Sequence, residues 1–207
     1  MPYIDRQAQA AALFNLGFLL GRLGRNEEAI ASLQESAVID RELGSTMGRA
    51  QCLNSLGGAY ARLGHHALAL HHQVESLALF RELGSRLGQA HCLMDIGVLH
   101  LRGRRHRDAI SCLREGLALF RGLGDRQGQA TVLCNLGDAY LAVGSHRRAR
   151  ALWREGLAIC VALQIPEEND VRVRLARLGA AGAETEPAGG AAMIGSSPAV
   201  RRPSSPT

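Results

Sequence analysis

The sequence predicts an all-α fold, an α-solenoid of about nine helices in which helix pairs stack one on the next. Three observations carry this. The stretch CLNSLGGAYARLGHHALALHHQVESLALFREL, residues 52–83, returns forty residues later as CLMDIGVLHLRGRRHRDAISCLREGLALFRGL. It returns again as VLCNLGDAYLAVGSHRRARALWREGLAICVAL and stands forty residues earlier as ALFNLGFLLGRLGRNEEAIASLQESAVIDREL. A fixed period of this length marks stacked supersecondary units, not one central core. Inside each copy apolar residues recur at spacings of three, four and seven, which is one face of a helix. Aromatic residues make up only 4% of the chain while Ala, Leu and Gly abound, a composition suited to close helix contacts.

Four repeats follow, at about 5–43, 45–83, 85–123 and 125–163. In the first helix of each, Leu13, Leu53, Leu93 and Leu133 coincide, as do Leu16, Leu56, Ile96 and Leu136. Gly17, Gly57, Gly97 and Gly137 come next and leave room for a neighbouring helix; Leu20, Tyr60, His100 and Tyr140 complete the face. Gly24, Gly64 and Gly144 end three of these helices as left-handed caps. The third copy reads Arg102-Gly103-Arg104, so its turn should differ. Second helices carry Ala29, Ala69, Ala109 and Ala149 and close on Leu43, Leu83, Leu123 and Leu163. Gly44, Gly84 and Gly124 end three of them, and Ser45, Ser85 and Asp125 then cap the next first helix.

The register is lost from Pro166. Pro166 suits a first helical turn, and Val171, Leu175 and Leu178 form a stripe ending at Gly179, which predicts a capping helix over 166–179. With it the repeat domain spans 1–179, and the Ala/Gly/Ser/Pro-rich remainder, 180–207, is expected to be a disordered tail. No matching cap precedes helix 1, which carries Phe14, Phe18, Leu19 and Leu20; the expectation is a fragment or split version of a longer protein.

Ala50-x2-Leu53-x2-Leu56-Gly57-x2-Tyr60 followed by Ala69, and Ala130-x2-Leu133-x2-Leu136-Gly137-x2-Tyr140 followed by Ala149, resemble the tetratricopeptide repeat skeleton. The forty-residue unit, with Gly-Ser/Asp-x-x-Gly-x inserted as in residues 124–129, is similar to the long repeats of Leu-Gly-Asn scaffolds and kinesin light chains. This implies a right-handed solenoid that recognises proteins through its concave groove. ALFRELGSRLGQA and RRARALWREGLAICVAL, followed by PEENDVRVRLARLGA, resemble the C-terminal repeats of actinobacterial regulators of the Streptomyces antibiotic regulatory protein type. Those regulators also carry a winged helix and an NB-ARC switch. The resemblance implies a regulatory module whose partners include a peptide, a partner domain or an NB-ARC-type switch domain.

In the tetratricopeptide fold the first helix of each pair lines the groove. By register the groove candidates are Asn15 and Arg22, then Gln51, Asn54, Ser55 and Arg62, then His91, Asp95 and Arg102, then Asn135 and Asp138. Side-chain amides donate and accept together, so a row of them can hold an extended peptide backbone. Asn15 and Asn135 match the asparagine that related scaffolds use in this way, while Ser55 and Asp95 depart from it. The bland alternative is a solvated groove. A second candidate surface is a basic rim of Arg104, Arg105, Arg107, Arg147, Arg148 and Arg150 at the turns of repeats 3 and 4. Cations at a helix N-terminus oppose its dipole, so stability does not explain them. They suit an acidic partner or phosphates, and define the rival reading of a nucleic-acid-associated factor.

The 24 basic residues are all arginine. Without lysine, a P-loop, a protein-kinase strand lysine and a pyridoxal Schiff base are impossible. The chaperone-tail clamp of some tetratricopeptide proteins is excluded on the same ground. Net charge is +5. No apolar run is long enough to span a membrane and the N-terminus lacks a signal-peptide layout, so the location expected by default is cytoplasmic. Cys52, Cys92, Cys112, Cys134 and Cys160 form no CxxC pair and read as small core residues. His66, His106 and His146 share one repeat position, too far apart to meet at one ion. Glu35, Glu75, Glu115 and Glu155 recur at the repeat period as a helix-surface feature. No metal, no cofactor and no enzyme are expected.

Overall fold

The computed structural model describes the backbone of residues 2–166 and 168–183 and the side chains within 5–166 and 168–178. Among these residues there are nine helices and no strand. In chain order they are α1 (Pro2–Arg22), α2 (Asn26–Glu42), α3 (Thr46–Arg62), α4 (His66–Glu82) and α5 (Arg86–Arg102). There follow α6 (His106–Leu123), α7 (Arg126–Ala142), α8 (His146–Leu163) and α9 (Glu168–Ala183). From α2 to α8, helices of 17 or 18 residues alternate with short turns to give the forty-residue period. Each first helix packs on its own second helix, and each second helix on the next first helix. First helices also touch one another in succession, α1 with α3, α3 with α5 and α5 with α7, whereas second helices make no comparable approach. A stack that is tighter on one side is curved, and the first helices line the inside.

The inserted Gly-Ser/Asp-x-x-Gly-x is not a loop. Ser45, Ser85 and Asp125 accept from the backbone N–H of Gly48 (3.1 Å), Gly88 (3.4 Å) and Gly128 (2.8 Å), so the insert forms the first turn of the following helix. A Cβ on these three glycines would overlap Asp40, Phe80 and Phe120 of the preceding helix. The close approach explains the glycine.

The same logic holds inside each pair. A Cβ on Gly17 would lie 2.6 Å from Leu33, one on Gly57 2.8 Å from Gln73, and one on Gly97 2.6 Å from Leu113; one on Gly137 would overlap Trp153. Three residues on, about one helical turn, Ser36 and Ser76 are buried and donate to the carbonyls of Ala10 (2.8 Å) and Ala50 (2.7 Å), while repeats 3 and 4 substitute Gly116 and Gly156. Cys52 and Cys92 are fully buried and donate to those serines; burial pushes both thiols up to about 11, which keeps them protonated. On the outer surface Arg81 pairs with Glu115 at 3.0 Å and Arg121 with Glu155 at 2.7 Å, so two of the recurring glutamates tie neighbouring repeats together.

Three expectations need amendment. Leu16 is 49% exposed although its copies Leu56, Ile96 and Leu136 are buried, because each later first helix also packs against the second helix before it, and among the described residues no helix precedes α1. The helix expected over 166–179 begins at Glu168 and continues past Gly179 to Ala183; residues 184–207 of the expected tail lie outside the described residues. In repeat 3 the left-handed position falls on Arg104, at φ 56, where Gly64 and Gly144 have φ 81 and 76.

A left-handed backbone costs an L-residue about 1–2 kcal/mol, partly offset by the entropy glycine loses on folding. Arg104→Gly is therefore expected to stabilise the chain by up to about 1 kcal/mol. A urea midpoint at or below that of the parent protein would contradict this.

Candidate functional site

The inner layer holds a series of clefts between successive first helices. Between α1 and α3 lies one of about 360 Å³, bordered by Asn15 and Gln51. Between α3 and α5 lies one of about 180 Å³, which brings together Arg62, Asp95 and Arg102. Between α7 and α9 a third, of about 120 Å³, sets Asn135 beside Asp170 and Arg174. A larger cavity, about 730 Å³, is elsewhere, between α4 and the α5–α6 turn, with His66, His71, Glu75 and Arg105 on its walls. Glu75 approaches His71 at 3.9 Å and Arg49 at 3.7 Å, and among the described residues no further polar network converges there, so size alone does not make it the site.

The α3–α5 cleft is the most organised. Gln73 lies at its base, fully buried, and donates through Nε2 to the Asn54 carbonyl (3.0 Å) and to Asp95 Oδ2 (3.1 Å). Burial pushes Asp95 up to about 6, while the Gln73 N–H and the nearby Arg62 charge pull it back down. Arg62 reaches back over Gly21 so that its Nε donates to Asn26 Oδ1 at 2.7 Å, and Arg102 Nη1 donates to the Ala61 carbonyl at 3.2 Å. Two guanidiniums are thus anchored at the mouth of a cleft with a carboxyl at its base.

The remaining candidates are distributed. Asn15, Arg22 and Gln51 are exposed, and Asn54 and Ser55 are half-buried, Asn54 Oδ1 accepting from the Cys92 thiol at 3.7 Å. His91 turns away to pack edge-on against Phe120, ring centroids 5.2 Å apart, and its burial favours the neutral form. Asp138 accepts from Trp153 Nε1 at 3.2 Å and lies 3.5 Å from Arg174 of α9; burial raises its pKa, and Arg174 and Trp153 oppose the rise. Arg104, Arg105, Arg107 and Arg147 are exposed, Arg150 is half-buried, and Arg148 stacks over Tyr140 at 5.4 Å. Among the described residues none of the six lies within 4 Å of a carboxylate.

Sequence reading overlooked Gln73, Asn26, Trp153 and Arg174. For Gln73 a signal was present: the copies of that position read Leu33, Gln73, Leu113 and Trp153, and an amide among apolar core residues is an anomaly. Among the described residues no group of His, Cys, Asp and Glu converges as a metal site would require, and no helix is long and apolar enough to cross a membrane.

The architecture defines a helix-pair repeat scaffold with its polar clefts on the inner layer. The chain belongs to the tetratricopeptide repeat family, whose model matches residues 8–82, 53–122 and 89–160. No curated protein matches it. Similar solved structures include the apo form of RapI, with TM-score 0.71 and 16% identity over 76% of this chain and 57% of that one. A Rap protein complexed with Competence and Sporulation Factor has TM-score 0.75 and 13% identity over 85% of this chain and 50% of that one. BtubC (BKLC) from P. vanneervenii has TM-score 0.66 and 18% identity over 97% of this chain and 90% of that one. At these identities the likeness is one of fold, a right-handed all-α solenoid. The chain spans about half the length of the Rap proteins it matches.

Proposed function

We propose that this chain is a regulatory protein–protein interaction module that takes a peptide or partner segment along the inner layer of its first helices. The observation that carries the reading is the series of clefts between those helices, each bordered by side chains able to donate and accept hydrogen bonds. Tetratricopeptide arrays in general serve as interaction scaffolds rather than enzymes, and a Rap protein of this fold is complexed with Competence and Sporulation Factor. The sequence resemblance to antibiotic-regulator repeats adds an NB-ARC-type switch domain to the partners worth testing, and a cytoplasmic location is part of the same proposal. Asn15, Asn54 and Asn135 are the residues through which the groove would hold a backbone.

The rival reading, a nucleic-acid-associated factor, draws on the rim arginines, which have no acidic partner among the described residues. Two experiments separate the readings. A partner captured by the purified chain should be lost with Asn15→Ala/Asn54→Ala/Asn135→Ala at unchanged helicity, and kept with Arg104→Ser/Arg105→Ser/Arg147→Ser/Arg148→Ser. Duplex DNA binding with a steep salt slope, lost only in the arginine variant, would decide for the rival.

A further inference from the structure

The α3–α5 cleft contains a residue that packing does not explain. In repeats 1 and 3 a leucine, Leu33 or Leu113, fills the space beneath the glycine of the paired first helix. Repeat 2 puts Gln73 there, with none of its surface exposed. Its amide nitrogen is engaged twice, but its amide oxygen has no hydrogen-bond partner among the described residues. A buried open acceptor carries a desolvation penalty that a leucine would avoid. Gly58 borders the cleft where the other copies carry Phe18, Val98 and Asp138. Helix packing does not demand that glycine, since a Cβ there would meet nothing nearer than Arg62 Nη1 at 3.5 Å. Two departures from the repeat pattern therefore meet at one space lined with acceptors.

The chemistry around the space is asymmetric. Two acceptors lie at the base, the Gln73 amide oxygen and the Asp95 carboxylate held by the nitrogen of that same amide. Two anchored guanidiniums, Arg62 and Arg102, border it with N–H groups to spare. Counting these charges, two positive and one negative, the cleft is net +1 and does not favour a lysine or arginine head. We propose that the cleft is a specificity pocket for an asparagine or glutamine side chain of a bound peptide, flanked in that peptide by acidic residues. On binding, the ligand amide parts the cleft floor over Gln73 and gives its two hydrogens to Gln73 Oε1 and the Asp95 carboxylate, and the flanking carboxylates meet Arg62 and Arg102. A leucine of similar size would leave Gln73 Oε1 unpaired and Asp95 with no donor beyond the Gln73 amide, and polar sites of this kind discriminate strongly against such replacements. The proposal rests on the groove reading above and assigns that groove a preference.

The test uses the purified chain and a fluorescently labelled octapeptide, Gly-Ser-Asp-Asn-Glu-Gly-Ser-Gly, with versions carrying leucine or lysine for asparagine, or alanine for both acidic residues. Anisotropy titrations are expected to show binding of the first peptide, weakened tenfold or more by each replacement. Gln73→Leu, which restores the residue type of repeats 1 and 3, and Gly58→Val, which copies Val98, should each abolish the preference while helicity and urea midpoint stay at or above those of the parent. No binding of the asparagine peptide at millimolar concentration, equal binding of the leucine peptide, or a preference that survives Gln73→Leu would each overturn the pocket. The groove reading is judged separately. If a partner captured by the parent chain is lost by the triple asparagine variant but kept by Gln73→Leu and Gly58→Val, the pocket fails and the groove stands; if the triple variant keeps it too, the groove fails.

Discussion

Trp153→Ala is expected to cost about 3–5 kcal/mol, the range for truncating a buried aromatic ring, and to open the C-terminal end of the array first. Trp153 is 1% exposed and lies in α8 with Cys134 of α7 on one side and Val171 and Leu178 of α9 on the other. Its Nε1 donates to the Cys134 carbonyl at 3.1 Å and to Asp138 at 3.2 Å. One ring therefore links three helices. In a solenoid each unit contacts only its neighbours, so the loss is local and propagates from the end inward. Hydrogen exchange should show protection lost in α7, α8 and α9 with α3 to α6 retained. Trp153→Phe keeps most of the ring and loses the N–H, so its cost should be distinctly smaller. Uniform loss of protection along the chain would contradict a local role for the ring.

Gly137→Ala should destabilise by about 1–3 kcal/mol, the usual cost of overpacking, even though alanine is the better helix former by up to about 1 kcal/mol. The added methyl group would overlap Cδ1 and Nε1 of Trp153, a ring with no room to move. Gly122→Ala in α6 is the matched control. A Cβ there meets nothing within 4 Å, so the same substitution should be neutral or stabilising. Because Gly137 and Trp153 meet directly, their effects should not add: once Trp153→Ala has removed the ring, Gly137→Ala should cost nothing further. Additive losses in the double variant would show that the glycine is required for some other reason.

The two predictions show how unequally the sequence disclosed its structure. Gly17, Gly57, Gly97 and Gly137 announced a close helix approach by recurring at one period. What approaches them did not recur: Leu33, Gln73, Leu113 and Trp153 occupy the facing position, and their variety hid it. Leu16 misled for the opposite reason. It shares the register of Leu56, Ile96 and Leu136, but register fixes which way a side chain points, not whether anything covers it. In the third repeat the missing glycine at Arg104 was visible as a break in pattern; that the backbone would keep the left-handed turn regardless was not. The turn survives because flanking helices already locked by packing impose it.

The groove candidates divide in the same way. Register alone set Asn15, Asn54 and Asn135 on first helices. It could not show that Arg62 is anchored by Asn26 from another helix, that His91 packs against Phe120, or that Asp138 is shared between Trp153 and Arg174. By itself the sequence determined the helix pairs, their period and the family, because a repeated local pattern encodes a repeated local geometry and stacking follows from it. Only the tertiary structure decided that Gln73, Asp95, Arg62 and Arg102 share one cleft, because those residues come from two repeats and meet through side chains that no single period relates.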